Sequence, residues 1–214
     1  MNKQLGLAFL LAATASTAVH AGQFGMPGMS GSPAVPGMGM SVFAEYSRQD
    51  AKLDSEDTIK LRGGALGVSS NPALSGAYGR IDYLSDSDFD VDYYEFQGGG
   101  QLNLMNAGGF YLLATAGIGF SGADSSYLDN TVNFVTLPIG LEAGFSPLPE
   151  LSLYAGVGYK WLFDVTGKTT CNDGTTTNST GRGACSYHDG IDYYNETIGD
   201  ADGVSFRAGL RLNF

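Results

Sequence analysis

The last stretch of the chain, residues 203–214, reads GVSFRAGLRLNF. Val204, Phe206, Ala208, Leu210, Leu212 and Phe214 alternate with Ser205, Arg207, Gly209, Arg211 and Asn213. Strict period two puts each set on its own face of a β-strand. One face is unbroken apolar surface and the other carries two arginines. The strand closes on an aromatic residue, where soluble domains usually fray.

The same period runs back through the chain. Segments 40–48, 58–68, 76–85, 92–104, 110–121, 131–145, 151–163 and 203–214 all alternate, and none shows sustained helical spacing. In the fifth, Phe110, Leu112, Ala114, Ala116, Ile118 and Phe120 oppose Tyr111, Thr115, Gly117, Gly119 and Ser121. Connections at 69–75, 105–109 and 146–150 are short and carry the turn formers Asn71, Pro72, Gly108, Gly109, Pro147 and Pro149. Those at 49–57, 86–91, 122–130 and 164–202 are longer and acidic. Short turns on one rim and long loops on the other predict an eight-stranded antiparallel up-and-down transmembrane β-barrel over 40–214. The even count puts both barrel ends on the short-turn, periplasmic side. A secreted β-sandwich also alternates, but it would have to place ionisable groups from every strand in solvent. Aromatics at both ends of the apolar faces favour lipid instead. Tyr46, Tyr83, Phe120, Phe134 and Trp161 lie toward the long loops, and Phe110, Phe145 and Phe214 toward the short turns, as two interfacial girdles.

Arg207, Gly209, Leu212 and Phe214 follow a polar, x, Gly, x, x, apolar, x, aromatic pattern. It resembles the assembly signal of Gram-negative outer-membrane proteins. With eight strands, the chain is similar to the small OmpA-type and OmpX-type barrels. That resemblance implies an outer-membrane location, handling by the barrel assembly machinery, and contact with outer-membrane lipids and lipopolysaccharide. It also implies outer loops used for surface binding, adhesion or packing among lipopolysaccharide. A separate periplasmic peptidoglycan-binding domain is not expected beyond Phe214.

Composition points the same way. Among 214 residues, 15% are charged, 32 are Gly, 12 are Tyr and 12 are Phe, with a net charge of −11. Soluble domains average about 25% charged residues and about 7% Gly. The acid surplus excludes nucleic acid as a partner, since that needs basic patches. The one long apolar run, 5–19, is too short for a helical span. Flanked by Lys3 and by Val19-His20-Ala21, it reads as a signal peptide over 1–21, cleaved after Ala21. No Cys follows it to anchor a lipid. Residues 22–39 are mostly Gly, Met, Pro and Ser, the composition of a flexible periplasmic tail. Thioethers of Met26, Met29, Met38 and Met40 suit Cu(I). No His or Cys supports them, so a plain linker is preferred.

With the mixed faces inward, the lumen holds Glu45, Asp82, Glu95 and Glu142 with Lys60, Arg62, Arg80, Lys160, Arg207 and Arg211. The acid surplus then falls in the outer loops. An eight-stranded barrel is only wide enough for side chains to fill. Unpaired ions in so narrow a tube are costly, so these charges are expected to pair and plug it. Gly64, Gly99, Gly117, Gly156, Gly158 and Gly209 would make room for the long cations. A narrow porin-like channel is the alternative.

Other chemistry is thin. Asp86, Asp88, Asp90 and Asp92 would share a face if the strand ran on, as weak candidates for Ca²⁺. The Gly and bidentate Glu of a strong calcium loop are missing, so no metal or cofactor is expected. His188 sits in Ser186-Tyr187-His188-Asp189 and is the one histidine beyond His20. A Ser186–His188 pair would suit a lipid A-modifying enzyme, but a mid-loop site lacks a fixed base and oxyanion donors. No enzyme is expected. Cys171 and Cys185 fall in the longest loop and should oxidise outside the cytoplasm. Closing about fifteen residues contributes about 3 kcal/mol. The residues thus predict a plugged barrel whose acidic outer loops carry a structural or surface-interaction role.

Overall fold

The computed structural model describes residues 39–53, 58–126, 131–180, 183–195 and 198–214. The expected signal peptide with Ala21, and the tail with Met26, Met29 and Met38, lie outside these residues. Strands β1 (Met40–Leu53), β2 (Thr58–Ser70), β3 (Gly76–Asp86), β4 (Val91–Ala107), β5 (Phe110–Ser125), β6 (Val132–Leu148) and β7 (Leu151–Asp164) follow one another. Three short strands come next: β8 (Thr169–Cys171), β9 (Thr176–Thr177) and β10 (Ile191–Tyr194). Then β11 (Ala201–Asn213) returns to β1 and closes the barrel in the order β1-β11-β7-β6-β5-β4-β3-β2. The seam is continuous from Ser41↔Asn213 to Leu53↔Ala201, and Met40 and Phe214 exchange backbone hydrogen bonds of 3.1 and 2.9 Å beyond it. All eight expected strands are present and every neighbouring pair is antiparallel.

The strands outrun their expected ends at the outer rim, so the loops there shrink. Pairing of Asp86 with Val91 leaves only residues 87–90 as a turn. Within 164–202, by contrast, the short strands β8, β9 and β10 form a separate three-stranded sheet in the order β10-β8-β9. One irregularity sits mid-wall. β5 and β6 pair at Ala116↔Ile139 and again at Gly119↔Thr136, with no pairing between. Pro138 falls in that gap and has no N–H to donate.

Side-chain polarity inverts along the barrel. Over most of its height the outer wall is apolar, with Leu66, Val68, Ile81, Phe96, Leu102, Ile118, Leu137, Leu141, Val157, Phe206 and Leu210 exposed. At the outer end the interior becomes apolar instead. Leu61, Leu84, Tyr93, Ala123, Val132, Phe134, Leu162 and Ala201 pack there as one buried cluster. The wall outside that cluster carries the ladder row Arg62, Ser85, Asp92 and Asp124. A wall facing hydrocarbon must be apolar and a wall facing water need not be, so the switch marks the membrane boundary.

Several expectations fail at that boundary. Lys60 and Arg62 are not in the lumen; both are exposed on the outer wall of β2, with Leu61 pointing inward between them. Phe134 is no girdle residue, being buried in the outer-end cluster. Tyr46, Tyr83, Phe120 and Trp161 do face outward, as do Phe110, Phe145 and Phe214 at the other end. The glycines serve closer contacts than expected. A Cβ on Gly156 would lie 2.7 Å from Arg207 Nε, so that glycine does seat a long cation. At Gly99 it would collide with the carbonyl of Ala116, and at Gly117 it would meet the Tyr78 hydroxyl at 2.5 Å. Gly158 approaches the Ile139 carbonyl and Ser205, Gly209 approaches Glu45 and Tyr154, and Gly64 faces outward.

Candidate functional site

Beneath the apolar cap the lumen is filled by ion pairs. Lys160 pairs with Glu95, which also accepts from Thr136 and, at 3.0 Å, from the Tyr93 hydroxyl. Arg80 reaches Glu45 at 2.7 Å and clasps Asp82 through both carboxylate oxygens, while the Tyr154 hydroxyl donates to Glu45 at 2.6 Å. Glu142 binds Arg211 at 2.9 Å and Arg207 at 3.4 Å. The Arg211 guanidinium also lies 4.8 Å from the Tyr154 ring centre and 5.4 Å from that of Phe43. Glu45, Asp82, Glu95, Glu142, Arg80, Lys160 and Arg211 are all buried. With Lys60 and Arg62 outside, the four acids Glu45, Asp82, Glu95 and Glu142 beneath the cap face the four bases Arg80, Lys160, Arg207 and Arg211.

A cavity of about 30 Å³ remains among Ser47, Tyr78, Gln97, Thr115 and Ser205, with Arg80, Lys160 and Arg207 in its wall. That is room for one or two waters. The sequence did not reveal the supporting hydroxyls of Tyr93, Tyr111, Thr136 and Tyr154. Their signal was available as the inward phase of each strand, but an inward Tyr reads simply as bulk.

The second feature is the outer loop. Cys171 and Cys185 are joined by a disulfide, their Cα atoms 5.5 Å apart. Asp173 gathers the Thr175 hydroxyl at 2.6 Å, the Thr175 backbone N–H at 2.9 Å and His188 Nδ1 at 2.7 Å. These contacts, the Thr175 hydroxyl foremost, lower the Asp173 pKa to about 2. Asn172 donates to the Asp189 carbonyl at 2.6 Å, and Thr170 to Asn195 at 2.9 Å. Cys185 and Asp189 adopt positive φ, 62° and 59°, which only a well-held turn sustains. The loop is therefore a folded module. Tyr187 stands 95% exposed at its tip, and Tyr193 and Tyr194 are also exposed.

The remaining candidates disperse. Asp86 turns inward and caps the β3–β4 turn, accepting the N–H of Lys60 at 2.8 Å and of Asp88 at 2.7 Å. Asp88 and Asp90 sit in the turn itself, and Asp92 accepts from the Tyr83 hydroxyl at 2.8 Å. The four carboxylates share no face, because the strand they would extend ends at Asp86. Among the described residues no group of three or more His, Cys, Asp or Glu is placed to hold a metal. His188 is held by Asp173, and no described hydrogen bond joins it to Ser186.

No protein-family model matches the chain, and no curated protein matches it. Solved structures do. The chain is similar to Neisserial surface protein A (NspA), with a TM-score of 0.57 and 13% identity over 82% of this chain and 97% of that chain. It is similar also to Ail, the attachment invasion locus protein of Yersinia pestis, with a TM-score of 0.50 and 16% identity over 83% and 99%. At such identities the likeness is one of fold. With the apolar wall and its two girdles, it makes the protein a small eight-stranded β-barrel of the outer membrane.

Proposed function

We propose that the barrel is a closed scaffold and that its working surface is the stapled outer loop, which binds partners at the cell surface. The observation that carries this reading is the loop's fold. A segment serving only as a connection has no need of a private sheet, a disulfide and a carboxylate-anchored turn, each of which holds it in one shape. Rigid display of Tyr187, Tyr193 and Tyr194 suits binding, since tyrosine offers large contact area with few rotamers to freeze. The lumen supports the complementary half. Charge pairs and an apolar cap fill it, so solute passage is not its role.

On this reading the protein is no enzyme, its lipid neighbours include lipopolysaccharide, and the C-terminal Arg207, Gly209, Leu212 and Phe214 serve the assembly machinery. Replacing residues 168–195 with a short Gly-Ser turn tests the proposal. The barrel should still fold, while binding of the bacterium to cells and its resistance to envelope-directed agents should fall. Undiminished binding and resistance in the deletion would overturn the loop's role.

A further inference from the structure

Two glycines open a hole in the packed lumen. Gly140 and Gly158 are cross-strand partners in β6 and β7, and both fall in the inward phase set by Glu142 and Lys160. No side chain from either strand fills the tube at that height. The cavity of about 30 Å³ lies there, and Thr115 and Ser205 close on it. A Cβ on Gly140 would lie 3.1 Å from the Thr115 hydroxyl, and one on Gly158 2.8 Å from that of Ser205.

The charge in the wall of this cavity has one sign. Arg80, Lys160 and Arg207 border it, and none of the carboxylates Glu45, Asp82, Glu95 and Glu142 does. Lysine and arginine only donate hydrogen bonds. Ser47, Tyr78, Gln97 and Ser205 also border it and have no hydrogen-bond partner among the described residues, although Ser47 and Gln97 are buried. Buried polar groups are almost always satisfied, so this set of donors calls for a guest. Arg207 is the most loosely held of the three cations. Arg211 binds Glu142 at 2.9 Å, whereas Arg207 reaches that carboxylate only at 3.4 Å and the Thr115 hydroxyl at 3.4 Å. A water needs acceptors for its own protons, which cations withhold. An anion accepts from every side, and its buried charge is met by charge. Room for one or two waters admits a halide ion but not the four oxygens of sulfate or phosphate.

We propose that the lumen binds one chloride ion among Arg207, Lys160 and Arg80, with the Ser47 and Ser205 hydroxyls and the Gln97 amide as further donors. The ion is taken up as the barrel closes during folding and stays as part of the plug. The site is independent of the outer loop's role and rests only on the geometry of the lumen.

Anomalous diffraction from crystals of the full barrel, refolded and grown with sodium bromide in place of chloride, tests this. One bromide peak should lie among Arg80, Lys160 and Arg207. In solution, urea unfolding at constant ionic strength should respond to chloride exchanged against gluconate, an anion too large for the cavity. A single site filled in the folded state lowers the unfolding constant about tenfold for each tenfold rise in chloride above its Kd. R207Q loses a charged donor and should bind about 10- to 100-fold more weakly, so its response should begin at correspondingly higher chloride. A lumen without a bromide peak, holding water alone, would overturn the site. So would an equal chloride response in R207Q, which would assign the effect to ions at the surface. Should R207Q fail to fold, S47A/S205A takes its place, with a weakened response expected and an unchanged one overturning the site.

Discussion

Arg80 is the point at which the plugged lumen is most exposed to experiment. Its guanidinium holds two buried carboxylates, Glu45 at 2.7 Å and Asp82 through a bidentate clasp. Both acids have side chains only 1% exposed, so water cannot take over the arginine's role. In R80M the side chain keeps its bulk and loses its charge. Glu45 retains the Tyr154 hydroxyl, but two uncompensated carboxylates then face each other in a narrow tube. Breaking a buried pair in this way destabilises by about 3–5 kcal/mol, a large share of a typical folding free energy. Neutralising the acids as well, in R80M/E45Q/D82N, removes the stranded charges and should restore all but about 1 kcal/mol. The assay is urea unfolding of the barrel from lipid vesicles, followed by the fluorescence of Trp161, the single tryptophan, which sits at the girdle. If R80M loses under about 1 kcal/mol, the carboxylates are solvated and the lumen is wet, contrary to the packing argument. A triple variant as unstable as R80M would also refute it, because stranded charge would not be the cause.

Three further outcomes follow from the geometry. C171S/C185S should leave barrel unfolding unchanged while loosening the loop by about 3 kcal/mol, seen as faster proteolysis within 164–202. Because the Asp173 pKa is lowered from 3.8 to about 2, its contribution to loop order is full above about pH 4 and fades as pH falls through 2. The His188 ring NMR signals of the intact loop should follow that window, and D173N should abolish the dependence. G156V should destabilise the barrel by about 1–3 kcal/mol in the urea assay, since its Cβ would press on both Arg207 and the Leu141 carbonyl at 2.9 Å.

Most of the barrel was legible because one rule governs its middle. Where lipid lies outside and side chains fill the inside, alternation in 110–121, 151–163 and 203–214 fixes each face correctly. The misreadings cluster where that rule reverses. In β2, Ile59 and Leu61 are apolar on odd positions, and Leu66 and Val68 on even ones. Backbone phase is constant, so one of the two sets had to point inward, and Leu61 does. Reading apolar as outward throughout sent Lys60 and Arg62 into the lumen and Phe134 out to the girdle. The shift of phase itself was the available signal. The loop's three short strands lay below what periodicity detects, since β9 has only two residues. The Asp173 anchor was hidden likewise, though Asn172-Asp173-Gly174 has the look of a turn.

The closed lumen beneath a surface-facing loop is tested most directly by single-channel recording of the purified wild-type protein in planar bilayers. Ion pairs spanning the tube and an apolar cap over them should yield no reproducible conductance steps. Regular steps of nanosiemens size would contradict the plug and return the protein to the class of solute channels.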